Sequence, residues 1–437
     1  VINQPAQKSL LRGIGRWDLV AVAINGIIGA GIFGLPSKVF SLTGPYSLLA
    51  FVVCALVVAT FILCFAEVGS RFSETGGPYL YAREAFGPVT GFQVGWLSWL
   101  ARVTAFSANC NLLVGYLSYF LPEVGSGWQR AAVIITLVAA LATVNIIGVR
   151  DTARLSNFFS VSKLVPLLIF ITVGLFFLSP QSFSLTAPPG VQAFSSSVLL
   201  LVYAFSGFEM AVVPTGELRE PHRNLPFGIL TAIGVVAVFY ILIQVVCVGT
   251  LPGLANSTRP LADASSQFLG PAGGAIIAAG ALVSISGNLI VLILAGSRLM
   301  FAMAEGQELP QIFAAVHQRF RTPLVSILTT AGVMLVLTLS GTFIYAVTIS
   351  TITRLLTYAA TCAALPVLRR RRKKPAPFQI PAGVALSVVT LLVTAWLLSG
   401  ITWREARDAG IAAAAGLVIY LAYRLKKGKP AVTASVR

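Results

Sequence analysis

The chain has 437 residues, of which 57% are hydrophobic and only 10% charged, and a formal net charge of +17. About a quarter of the residues in an ordinary soluble domain are charged, so this composition excludes one and fits a helical protein immersed in the lipid bilayer. The basic residues fall between apolar runs rather than along one face, which excludes nucleic acid as the partner that the charge would otherwise suggest.

Hydropathy and loop punctuation predict about twelve spans. They lie near 17–41, 43–70, 88–121, 129–149, 155–179, 193–216, 225–250, 272–304, 322–340, 343–368, 379–400 and 408–425. With a cytoplasmic N-terminus, most of the 31 basic residues fall on the inside, in loops and in the tails 1–16 and 426–437. That asymmetry predicts both termini inside the cell membrane. Spans in 17–179 form one set of five and those in 193–368 a second; an odd number of crossings gives the two sets opposite orientations. The last two spans, within 379–425, carry few polar residues and are expected at the periphery.

The first span contains GIIGAGIFGLP, Gly26 to Pro36. Gly26, Gly29 and Gly31 either pack a neighbouring helix closely or let the backbone unwind, and Phe33, Leu35 and Pro36 favour the break. Unwinding would leave amides at the start of the next half-helix, where an anion such as a substrate carboxylate fits. Glu67, near the inner end of the second span, is a candidate for a gate ion pair with Arg71 or Arg154, or for a solvated helix end. Arg102 in the third span and Arg354 in the tenth stay charged at any physiological pH, so neither carries a proton. Each either pairs structurally or contacts an acidic substrate. Lys163 lies within the fifth span, where it could snorkel to the interface or serve function.

The sixth span carries FSGFEMAVVP, Phe205 to Pro214, with Gly207 beside Glu209. A carboxylate at that depth is costly and is by default a functional candidate. Glu209 could titrate, sense a proton or hold a break in shape, while freed carbonyls at Phe205 and Ser206 could accept from a substrate ammonium. Two breaks at corresponding places in the two halves point to a transport site between inverted repeats. The RRRRKK run, Arg369 to Lys374, reads as an anchor after the tenth span. The cysteines Cys54, Cys64, Cys110, Cys247 and Cys362 are scattered without a CxxC pair, which predicts no metal site and no disulfide framework. No phosphate-cradling GxxxxGK[ST] motif occurs, and no cofactor is expected.

Four motifs occur in order: IIGAGIFGLP, AEVGSRFSETGGPYLYAREAFG (Ala66–Gly87), GFEMAVVPTGELREPHRNLP (Gly207–Pro226) and GSRLMFAMAEGQELP (Gly296–Pro310). With them the chain resembles amino-acid permeases of the amino acid–polyamine–organocation superfamily. The resemblance implies an all-α, leucine-transporter-like fold with a five-plus-five inverted repeat and broken first and sixth helices, and amino acids as substrates. It implies a carboxylate held by amides around Gly29, Ala30, Gly31 and Ile32, and an α-amino group held by carbonyls of Ile27, Ile28, Phe205 and Ser206. Phe106, Asn109, Tyr203, Phe208, Asn288 and Ser350 are the side-chain pocket candidates, with Tyr203 and Phe208 as gates. Proton-coupled proteins similar to this one carry a lysine at the place of Lys163, against carbonyls of the first helix. Burial disfavours an ammonium, so Lys163 becomes a candidate proton carrier with Glu209 as its rival. The expected function is secondary transport of amino acids by alternating access, as proton-coupled uptake, or alternatively as an amino acid or polyamine exchanger without net proton coupling. Without paired carboxylates or a nucleophile motif in the spans, the chain does not read as an enzyme.

Overall fold

The computed structural model describes residues 15–72, 76–148, 152–185, 187–209, 220–371 and 375–427. Most of the two tails, positions 372–374 of the basic run and residues 210–219 of the second break lie outside them. Among the described residues the secondary structure is helical, with no strand. An apolar surrounding dictates this, because backbone groups that cannot reach water pair along their own helix. The helices are α1 (Arg16–Ile27), α2 (Gly31–Thr43), α3 (Ser47–Ser70), α4 (Gly77–Phe86), α5 (Pro88–Leu117), α6 (Gly127–Ile147) and α7 (Thr152–Gly174). They continue with α8 (Val191–Phe205), α9 (Pro221–Thr250), α10 (Pro260–Glu305), α11 (Leu324–Ser340), α12 (Phe343–Arg371), α13 (Gly383–Ser399) and α14 (Trp403–Lys427). Among the described residues six helical runs are long and apolar enough to cross a membrane, and four shorter helices are apolar too.

Helix α5 forms the middle of the bundle, packed against α4, α10, α11, α12 and α14, while α1 and α3 pack on α9 and α2 packs on α8. The C-terminal α14 is the least enclosed of the long helices, with 17% of its most apolar stretch buried. Its small residues let α5 come close: Trp96 Nε1 donates to the Ala412 carbonyl and Gln93 Nε2 to that of Ala413, each at 2.8 Å. Close approach through small residues is a usual way for helices to associate in lipid.

Two features depart from the span reading. The loop after the second span contains the helix α4, started by Pro78 and tied down by Tyr79, whose hydroxyl donates to Glu308 at 2.9 Å. Burial holds the Glu308 carboxyl above its ordinary range. Helix α10 begins well before the expected start at 272 and bends at Gly270 (φ 67°, ψ −170°), so an arm from Pro260 precedes the span that follows Pro271.

Glu67 pairs with Arg71 as expected, but a third arginine lies closer. Its fully buried carboxylate receives Arg369 Nε at 2.7 Å and Nη2 at 2.6 Å, together with the Ile380 amide at 2.9 Å. Arg71 lies farther, at 3.4 Å, and the Arg154 side chain is outside the described residues. Arg369 therefore does more than anchor a helix end: α12 runs on to Arg371 and joins the C-terminal end of α3 to the segment that precedes α13. Glu67→Gln is expected to lower the apparent melting temperature in detergent, with a cost of about 1–3 kcal/mol for an orphaned charge-assisted pair. Arg71→Gln should cost less. Equal melting temperatures for wild type and Glu67→Gln would contradict this role.

Candidate functional site

The first glycine-rich segment is a true break. Helix α1 ends at Ile27, Ile28 leaves helical geometry (φ −70°, ψ 87°), and α2 starts at Gly31. Helix α8 ends at Phe205, Ser206 is extended (φ −78°, ψ 163°), and Gly207 takes φ +113°. The two breaks cross backbone on backbone. A Cβ added at Gly31 would lie 2.7 Å from Ala204 Cα, and one at Gly207 would collide with the Gly26 carbonyl. Only glycine combines that left-handed φ with that contact.

Unwinding frees polar groups, and the fold answers some of them. The Lys163 ammonium donates to the Asn25 carbonyl at 2.6 Å and the Ile28 carbonyl at 2.7 Å. The Tyr240 hydroxyl lies 3.1 Å from the Ile27 carbonyl and 3.2 Å from that of Ala204, bridging the ends of α1 and α8. Other groups stay open. Among the described residues the amides of Gly29, Ala30 and Gly31 and the carbonyls of Phe205 and Ser206 have no partner. Donors at the start of one half-helix thus face acceptors at the end of another, which suits a ligand that is negative at one end and positive at the other.

Gly29, Ala30, Gly31 and Ser206 border a cavity of about 270 Å³. Its lining includes Asn25, Ile27, Gly29, Ala30, Gly31, Arg102, Asn109, Lys163, Tyr203, Ser206, Gly207, Glu209, Asn288 and Arg354. Asn109 donates to Asn288 at 2.9 Å and accepts from the Tyr203 hydroxyl at 2.5 Å, so α5, α8 and α10 meet in one polar chain beside the first break. Glu209 is held from three sides: it forms an ion pair with Arg354, accepts from the Tyr358 hydroxyl at 2.9 Å, and accepts from the Gly207 amide at 2.8 Å. Its carboxylate therefore fixes the second break to α12.

Residues 14–414 match the family described as amino acid permease. The chain belongs to that family. A methylthioribose transporter of Bacillus subtilis (strain 168) is 29% identical over 97% of this chain and 95% of its own length. A branched-chain amino acid permease, BcaP, of the same organism is 26% identical over 97% of this chain and 95% of its own. A serine/threonine exchanger, SteT, also of that organism, is 27% identical over 96% and 98%. This permease-family chain is thus an integral membrane protein of a family that moves small molecules across a membrane, and not an enzyme.

Eleven of the residues singled out from the sequence of this family member share the cavity: Ile27, Gly29, Ala30, Gly31, Asn109, Tyr203, Ser206, Gly207, Asn288, Lys163 and Glu209. Six lie outside its lining. Ile28 and Ile32 are buried behind the break, and Phe205 stacks edge-on against Tyr240. Phe106 is fully buried, and Ser350 donates to the Ala101 carbonyl at 2.8 Å. Phe208 sits in an aromatic cluster with Phe65 and Tyr358 rather than over the cavity. Arg102 and Arg354 belong to the site, and their signal was plain in the sequence: a permanent charge inside an apolar span. Tyr240 and Tyr358 carried no such signal, since an aromatic is ordinary in a membrane core. Substitution at the crossing should be felt in binding: Gly31→Val and Gly207→Ala are each expected to weaken substrate affinity at least about tenfold in a titration of purified protein. Gly332→Ala, where an added Cβ meets nothing within 4 Å, should leave it unchanged. Unaltered affinity in Gly31→Val would displace the binding site from the break.

Proposed function

We propose that this chain is a secondary active transporter of amino acids across the cytoplasmic membrane, coupling uptake to protons by alternating access. The observation that carries the reading is the Lys163 ammonium seated on the Asn25 and Ile28 carbonyls of the unwound first helix. A charge there that can come and go with a proton would couple protonation to the shape of the break. Glu209, already neutralised by Arg354, serves in this reading to hold the second break, which leaves the proton to Lys163.

The substrate class follows from the open backbone groups. An α-carboxylate suits the amides around Gly29–Ile32, and an α-amino group suits the Phe205 and Ser206 carbonyls. The Ile27 and Ile28 carbonyls, engaged by Tyr240 and Lys163, have one lone pair left for the same amine. Methylthioribose, which one relative's name specifies, has neither group. In this reading the chain crosses the membrane about twelve times with both tails in the cytoplasm, 17–179 and 193–368 being inverted repeats and 379–425 adding two outer helices.

A second reading, exchange of amino acids without net proton movement, is favoured by the name of the serine/threonine exchanger relative. Proteoliposomes separate the two. Lys163→Ala should lose accumulation driven by a pH gradient, at least about tenfold, while keeping counterflow in preloaded vesicles. Full gradient-driven accumulation by Lys163→Ala would remove the lysine from coupling. Wild-type protein that shows counterflow but no response to the gradient would establish the exchanger. Stimulation by sodium would count against the proton reading.

A further inference from the structure

Among the described residues, Arg102 is a charge of the cavity without an ion-pair contact. Among the described residues Glu209 is the one carboxylate in the lining, and it is already bound by Arg354, Tyr358 and the Gly207 amide. Lys163 is seated on two carbonyls. Among the described residues the Arg102 guanidinium, with five N–H donors, makes one hydrogen bond, from Nη1 to the Ser98 carbonyl at 2.7 Å, and its buried Nε has no partner. Among the described residues no carboxylate forms an ion pair with it: Glu67 is taken by Arg369 and Arg71, and Asp263 by Arg259. Among the described residues the lining thus holds three cations, Arg102, Lys163 and Arg354, against one anion.

An arginine cannot relieve this by losing its proton, so a guanidinium facing an enclosed space calls for an anion that arrives with the ligand. Its planar fork suits a carboxylate, which takes two parallel hydrogen bonds. Position on α5 indicates where that anion would lie. Asn109, which reaches Asn288 beside Gly29, follows Arg102 by two helical turns, roughly 10 Å along the axis. A ligand whose first carboxylate rests on the amides at the break would extend its side chain toward Arg102, whose own stem closes much of that distance.

Building on the amino acid reading above, we propose that Arg102 is a specificity-determining residue that binds a side-chain carboxylate, so that the substrate class is the acidic amino acids. In this arrangement the ligand supplies the counter-charge that the cavity lacks. A neutral amino acid would fill the same backbone site but leave the guanidinium unpaired.

Calorimetric titration of the purified full chain with L-glutamate, L-aspartate, L-glutamine and L-leucine at neutral pH tests this, with and without chloride. The expected result is that glutamate or aspartate binds at least about tenfold tighter than glutamine, as a charge-assisted bidentate pair implies. In Arg102→Gln the ratio of the glutamine and glutamate dissociation constants should collapse to within about threefold, and Arg102→Lys should retain part of it. Glutamine or leucine binding as tightly as both acidic amino acids in the wild type would overturn the proposal without any variant, and would leave the amino acid reading standing. A preference for acidic ligands that survives in Arg102→Gln would overturn the role of this residue. Binding of neutral amino acids that depends on chloride would identify an inorganic ion as the partner of Arg102 and overturn the proposal. If none of the four binds, the amino acid reading falls together with it.

Discussion

An interrupted helix inside an apolar slab must find donors and acceptors for the backbone groups it exposes, and most of this site follows from how that demand is met. Gly207 makes the meeting possible, since only a residue without a side chain lets the second break lie on the Gly26 carbonyl. Lys163 and Tyr240 then supply donors to Asn25, Ile28, Ile27 and Ala204. Among the described residues, amides on one side and carbonyls on the other stay unpaired, which suits a ligand with opposite charges at its two ends. A helix that ran on through either segment would have no such groups to offer.

The charges inside the bundle divide by whether they are already matched. Glu67 with Arg369, and Glu209 with Arg354, each join a helix end or break to α12, and both carboxylates also accept a backbone amide. A buried pair of this kind adds little net stability compared with apolar packing, but removing one partner is costly, so such pairs hold a geometry. α12 therefore holds the second break at one level and the C-terminal end of α3 at another.

Much of this was legible in the sequence because the signals are local. Gly26, Gly29 and Gly31 followed by Pro36, and Gly207 beside Glu209, mark candidate breaks within apolar runs, and a lysine eight or so residues into a span is an anomaly that needs only hydropathy to detect. Helix positions follow from apolar length. A partner four residues away, Arg71 for Glu67, was legible, but distant partners were not. Glu67 and Arg369 are separated by 302 positions and Glu209 and Arg354 by 145, and nothing in either neighbourhood specifies the other. The same limit explains Phe208 and Ser350: each lies on a span that borders the cavity, but the direction of a side chain on a helix apolar all round is set by tertiary packing, not by periodicity. The α4 helix was hidden for a different reason, since ten residues of mixed polarity opened by Gly-Pro read equally well as a loop.

The claim on which the account rests is that backbone at the crossed breaks, rather than a cage of side chains, receives the ligand. A structure of the wild-type protein determined with a bound amino acid tests it most directly. The α-carboxylate is expected within hydrogen-bonding distance of the amides in the Gly29–Ile32 segment and the α-amino group on the carbonyls of Phe205 and Ser206. A ligand found elsewhere in the bundle, with those amides and carbonyls still unpaired, would contradict it.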